Sequence, residues 1–213
     1  MKRLLVPLLI GPLLAGCMGS APPVPRDHFY RLQVSGPATS RAEAPFPGVM
    51  LVDRLGANGL LRERPLLYSA SGAQFEVQQY NYHYWTDPPP RMLQDQMVSY
   101  LRRGGIAGAV VTPEMRIRAD YQISGKVKRL ERLLGGGPPR VAVEIELSLI
   151  RLSDDSLVLV DSFAEQELVA GDDVKSAIVA INRATGRIFD RFLSRALRAA
   201  PRGAGVPQEA QRN

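Results

Sequence analysis

The sequence predicts an α+β fold: a largely antiparallel sheet with two helices packed on it, in a single domain. Three observations carry that expectation. Val141, Val143, Ile145, Leu147 and Leu149 alternate with Ala142, Glu144, Glu146 and Ser148, the period of a strand with one buried face. Val174, Ile178, Ile181, Thr185, Ile188 and Phe192 recur at alternating steps of four and three, the spacing of one helix face. Leu93, Met97, Tyr100 and Leu101 follow the same helical spacing earlier in the chain.

The N-terminus precedes the domain. Lys2 and Arg3 form a basic start, and Leu4 to Leu14 is an apolar run too short to span a bilayer, which takes roughly 20 residues. The run closes on Leu14-Ala15-Gly16-Cys17, the lipobox pattern of bacterial lipoproteins. Small residues before the cut let an extended backbone enter a peptidase site, and the cysteine thiolate is the nucleophile that a lipid donor requires. Residues 1–16 are therefore expected as a signal peptide and Cys17 as the lipidation site. Residues 17–27, with Pro22, Pro23 and Pro25, read as a tether. Ten extended residues reach about 33 Å, enough to lift a domain clear of the headgroups.

The domain is expected over 28–199. Phe29 to Val34 begins it as a strand, followed by a loop to Gly48 and a buried strand at Val49–Val52. Leu66–Ala70 and Gln74–Gln79 read as two strands joined at Ser71-Gly72, with Phe75 and Val77 alternating against Glu76 and Gln78. The first helix runs from about Pro88 to Arg103, with Asp87 as N-cap and Gly104-Gly105 as its stop. Ala109–Val111 suits a short strand. Tyr121, Ile123 and Val127 share a strand face, with Gly125 as the expected bulge. A loop at 135–139 leads into the alternating strand, Asp154-Asp155 makes a turn, and Leu157–Leu168 returns antiparallel. The second helix runs from about Asp173 to Arg198, with Gly186 in mid-helix letting a neighbour approach. Its spacing also suits a coiled coil, so a homo-oligomer stays open. Residues 200–213 read as a disordered tail.

Composition excludes several functions. Cys17 is the single cysteine, so the domain has no internal disulfide and must hold together by its core. Without Lys2 and Arg3 the formal charge falls from +6 to +4. That mild excess suits anionic lipid or an acidic partner, but no dense basic patch points to nucleic acid. The two histidines, His28 and His83, sit in no HExxH pattern, and no GxSxG occurs. Gly125-Lys126 lacks the rest of a phosphate loop. Asp154-Asp155 and Asp172-Asp173 are explained by turn and cap chemistry. The sequence therefore predicts no enzyme, no cofactor and no metal.

One cluster stands out: Tyr80-Asn81-Tyr82-His83-Tyr84-Trp85, followed by Thr86-Asp87-Pro88-Pro89-Pro90-Arg91. It can be a well-packed corner with tyrosine hydroxyls reaching water. It can also be a contact surface, since Tyr, Trp and Arg are the favoured anchors of interfaces. Alternate residues point opposite ways, so both can hold. Tyr80, Tyr82, Tyr84, Trp85 and Arg91 are the candidate partner-binding residues.

At this cluster the sequence resembles the ABC-type transport auxiliary lipoprotein family, the lipoprotein components that accompany MCE-domain lipid transport systems. The similar residues run in order along nearly the whole mature chain: Phe29-Tyr30-Arg31-Leu32, Val52-Asp53-Arg54-Leu55, Gly59-Leu60-Leu61, Leu67-Tyr68, Tyr82-x-x-Trp85-x-x-Pro88-Pro89-x-Arg91-Met92-Leu93, Tyr121-x-Ile123-x-Gly125-x-Val127 and Ala180-Ile181-Asn182-Arg183-Ala184. The triple proline and Gly135-Gly136-Gly137 depart from the family's pattern. The resemblance implies a non-enzymatic periplasmic subunit, with MCE-domain and ABC transporter subunits and the lipid membrane as partners. Met18, Gly19 and Ser20 carry no aspartate-type retention signal, which points to the periplasmic face of the outer membrane. The alternative is a lipid- or ligand-binding carrier, which needs a cavity of roughly 300 Å³ or more.

Overall fold

In the computed structural model residues 24–70 and 75–200 are described. Cys17, the signal segment, the Ser71-Gly72 turn and the tail from 201 onward lie outside them. The strands are β1 (His28–Tyr30), β2 (Phe46–Val52), β3 (Gly56–Ala57), β4 (Pro65–Ala70), β5 (Gln78–Trp85), β6 (Ala107–Val111), β7 (Tyr121–Leu134), β8 (Arg140–Arg151) and β9 (Ser156–Leu168). The helices are α1 (Pro89–Gly104) and α2 (Val174–Ala199). No helix among the described residues is long and apolar enough to cross a membrane.

β7 organises the sheet. One of its edges pairs antiparallel with β8 along its length, and β8 pairs antiparallel with β9. Its other edge is shared by three short strands in succession, all parallel to it: β2 at Tyr121–Ile123, β3 at Lys126–Val127 and β4 at Glu131–Leu134. β6 joins β2 in parallel, β5 joins β4 antiparallel, and β1 joins β5 in parallel. The sheet is thus mixed, not largely antiparallel as the sequence predicts. The hairpins β7–β8 and β8–β9 are legible locally, but the parallel pairings connect strands separated by helices and loops.

Both helices share one core. The buried cluster joins Leu93, Met97 and Leu101 of α1 and Ile181, Ile188 and Phe192 of α2 to Val143, Ile145 and Leu147 of β8. Among the described residues this cluster begins at Leu32. Tyr100 meets Phe189 edge-on at 5.5 Å, and its hydroxyl donates to Asp190, tying α1 to α2.

The local chemistry explains how each helix begins. Asp87 does not cap α1. Pro88 holds the cap position without a side-chain bond, since its ring carries no acceptor, and the prolines at the next two positions have no N–H that needs one. The first free amides, of Arg91 and Met92, donate to the Pro88 carbonyl at 3.0 and 3.3 Å. Asp87 instead pairs with Arg91 at 3.9 Å. Gly105, with φ 60°, stops the helix in the left-handed conformation. Asp173 does cap α2, its carboxylate accepting from Ser176 N at 2.9 Å.

α2 is also pinned by charge. Arg183 and Arg187 reach Glu167, Arg187 and Arg191 reach Glu165, and Arg195 reaches Asp161. The arginines recur every four residues along α2 and the acids alternate along β9, so the two periods mesh. Arg195 also lies over the Phe163 ring at 5.4 Å.

Two glycines behave differently from the sequence expectation. The bulge in β7 falls between Val127 and Arg129, not at Gly125. Gly125 is needed for closeness: a Cβ there would stand 2.2 Å from the Glu146 carbonyl oxygen. At Gly186 the neighbour is Val34, but a Cβ would lie 3.6 Å from it, an ordinary contact. Gly186→Ala is therefore expected to stabilise the domain by about 1 kcal/mol, through helix propensity alone. A rise in the denaturant midpoint at unchanged slope checks this.

Candidate functional site

The aromatic cluster lies on β5, beside the edge strand β1. β1 and β5 run in parallel with His28 opposite His83, Phe29 opposite Tyr84 and Tyr30 opposite Trp85. The ring pairs stack across the strands: His28 on His83 at 5.1 Å and Phe29 on Tyr84 at 5.7 Å. The Tyr30 hydroxyl meets His83 Nδ1 at 2.9 Å.

β5 is not regular here. Pro65 of β4 pairs with Tyr84 and Leu67 with Gln79, so residues 80–83 stand opposite Leu66 alone. Tyr82 absorbs this bulge with φ 63°, a left-handed conformation that a tyrosine adopts at a cost. The bulge breaks the alternation and separates residues that a regular strand would align.

Each candidate residue then has its own surroundings. Trp85 is a core residue, 1% exposed, so it supports the corner from within and has no surface with which to touch a partner. Tyr80 turns inward: it packs on Tyr68 at 4.6 Å and accepts from Arg132 at 3.1 Å. Arg132 is itself buried and donates to the Asp172 carbonyl at 2.6 Å, which joins the corner to the start of α2. Tyr82 is 40% exposed. Tyr84 is half-buried and, with Phe29, Arg64 and Glu63, lines a surface groove of about 280 Å³. Arg64 lies over the Phe29 ring at 5.3 Å, and its Nε donates to the Trp85 carbonyl at 3.1 Å. Arg91 stands on another patch. Its neighbours are Asp87 and Glu114, whose carboxyl is held below its ordinary range by the Thr112 hydroxyl first and by Arg54 and Arg91 further.

Sequence reasoning missed Phe29, His28 and His83 as parts of one surface. The signal was present, because His28-Phe29-Tyr30 mirrors His83-Tyr84-Trp85, but the match has meaning only once β1 lies beside β5.

Burial first, and the neighbouring His28 second, hold the His83 imidazole below the usual histidine range. The unfolded chain then binds a proton more readily than the folded one as pH falls below about 6.5. This contact is present at neutral pH and weakens with acidification. The melting temperature is expected to fall between about pH 7 and about pH 5. His83→Gln should flatten that part of the profile, leaving the carboxylate-driven loss at lower pH. Equal slopes for both proteins would remove His83 from the account.

The family model for the ABC-type transport auxiliary lipoprotein component matches residues 30–192, the whole span from β1 to the second half of α2. The chain belongs to this family. Solved structures agree on the fold. XCC0632 from Xanthomonas campestris, a DUF330 protein, superposes with a TM-score of 0.70 at 22% identity, over 81% of this chain and 95% of that one. An uncharacterized protein superposes with a TM-score of 0.63 at 13% identity, over 80% of this chain and 98% of the other. No curated protein matches by sequence. As an ABC-type transport auxiliary lipoprotein, the chain is a component that works alongside an ABC-type transporter from a membrane-anchored position.

Proposed function

We propose that this lipoprotein is a non-enzymatic docking subunit of an ABC/MCE-type system that moves lipid between the inner and outer membranes. The observation that supports the reading is the family match over residues 30–192. The mechanism is tethered docking. A domain on a short tether searches a thin shell beside its membrane, which raises its effective concentration for any partner reaching that shell. The ABC motor sits in the inner membrane, so a subunit held on the outer membrane can secure the far end of an assembly that crosses the periplasm.

The exposed part of the aromatic corner is the contact we assign, centred on Phe29, Tyr82 and Tyr84. Aromatic side chains with a nearby arginine supply large contact area at low entropy cost. Phe29 is 54% exposed, so its removal leaves the core untouched.

The double variant Phe29→Ala with Tyr84→Ala tests the assignment. Copurification with MCE-domain subunits is expected to weaken at least about tenfold, while the melting temperature changes little. Unchanged copurification would move the dock to another face. Trp85→Ala, by contrast, should cost about 3–5 kcal/mol of stability and lose binding only through unfolding.

A further inference from the structure

We propose that the free edge of β9 pairs with the same edge of a second copy of this chain, antiparallel about a two-fold axis at Ala164, to form a dimer with one continuous sheet. This edge and the aromatic corner lie on opposite sides of β7, so the inference is separate from docking.

Among the described residues β9 pairs with β8 alone. Three bonds fix which of its backbone groups are left over. Val169 N donates to the Pro139 carbonyl at 2.9 Å, in step with Arg140 opposite Leu168, so the odd-numbered residues bond β8. The even-numbered residues then turn N–H and C=O outward. Two further bonds agree: Ser162 N donates to the Asp161 carboxylate at 2.8 Å, and the Ala164 carbonyl accepts from Arg191 at 2.7 Å. The register shift in this pair falls between Leu159 and Leu157, opposite Leu149 and Ile150. The regular free edge is therefore 160–168, and Ala164 is its midpoint.

The side chains of this edge fall into two rows. Asp161, Phe163, Glu165 and Glu167 lie on the α2 side, where Phe163 is core and arginines hold the acids. Val160, Ser162, Ala164, Gln166 and Leu168 line the other face, all exposed and none charged. Natural edges are blunted by lysine, proline or an inward charge, and this row has none of them. The row also matches itself, as a two-fold contact requires. With Ala164 opposite Ala164, Val160 meets Leu168 of the second copy and Ser162 meets its Gln166, apolar against apolar and polar against polar. On the α2 side Asp161 comes opposite Glu167. Each copy brings Arg183, Arg187, Arg191 and Arg195 against its three acids, so these like charges meet already neutralised. Pairing displaces two exposed bonds and strands no charge, because Asp161 keeps Arg195 and Arg191 keeps Glu165. The dimer presents two aromatic corners, which raises its hold on a partner with repeated subunits.

The test uses the chain from residue 17 onward with Cys17→Ser, in which an added cysteine is the only thiol. Ala164→Cys should form a disulfide dimer under mild oxidation, since residues paired in this register stand about 5.5 Å apart at Cα, within disulfide range. Ser162→Cys and Gln166→Cys should each fail alone and crosslink when mixed. Without oxidation, sedimentation equilibrium should give a dimer. Val160→Lys with Leu168→Lys changes two positions that are each 53% exposed. It should weaken the dimer about tenfold or more at unchanged far-UV circular dichroism. Val160→Lys with Leu168→Glu should restore it, by setting opposite charges against each other across the two strands. A monomer at about 100 μM, or a dimer indifferent to the paired lysines, would overturn the proposal. So would an Ala164→Cys protein that crosslinks in the cell envelope to a different protein and not to itself. Phe29→Ala with Tyr84→Ala should leave the dimer intact, so failure here and failure of the docking role are separately readable.

Discussion

Ile181→Asp is expected to unfold the domain or bring it close to unfolding. Ile181 is 3% exposed on the buried face of α2, in the cluster shared with β8 and α1. The change removes an apolar side chain from a packed site and puts a carboxylate where nothing pairs with it. Burying an unpaired charge costs several kcal/mol, and a domain of this size has only about 5–15 kcal/mol in total. The nearby helical position Val179 is 49% exposed and serves as the control. Val179→Asp adds the same charge to the same helix and should stay within about 0.5 kcal/mol of wild type. Thermal and denaturant unfolding of the two variants side by side check the expectation. Equal melting temperatures would mean that the stripe faces solvent, and a helix-mediated oligomer would then come into play.

That contrast rests on a feature plainly legible in the sequence. α2 repeats its apolar period over 26 residues, and β8 alternates over 12, so both are over-determined by pattern. The short strands are not. β3 has two residues and β1 three, too few for any period. Their pairing depends on β7, a single strand whose open edge three segments share. No local pattern announces that arrangement, which is why the parallel half of the sheet was not legible. The aromatic corner failed differently. Alternation would put Tyr80, Tyr82 and Tyr84 on one face, but the bulge at 80–83 and the left-handed Tyr82 split them. Tyr80 goes to Arg132, Tyr84 to Phe29, and His83 to Tyr30, a partner 53 positions away in sequence. The polar side of α2 could have been read further. Arg183, Arg187, Arg191 and Arg195 keep one helical spacing, and Asp161, Glu165 and Glu167 keep odd positions on β9. A ladder between them follows once the strand and helix lie side by side.

Cys17→Ser is expected to release the protein from the membrane entirely. Cys17 closes the lipobox and lies ahead of the described residues, eleven positions before β1. Each buried methylene of an acyl anchor contributes about 0.8 kcal/mol, and stable attachment takes two anchoring signals, such as two acyl chains. Without them, what holds the chain to lipid is a net charge of +4 and a short edge of exposed aromatics. Screened surface charge of that size gives weak, salt-sensitive contact. The wild-type protein should therefore resist a salt wash of the membrane fraction and the serine variant should not. Mass spectrometry of the mature wild-type protein should begin at a lipidated Cys17; residues ahead of it, or a serine variant that stays bound in high salt, would refute the anchor. Met18→Asp then separates anchoring from sorting. It leaves the lipid in place and adds the charge that retains lipoproteins in the inner membrane of hosts using the aspartate rule. In such a host the variant should move to inner-membrane fractions with an unchanged melting temperature and impaired transport, because the dock would then sit at the wrong end of the periplasm.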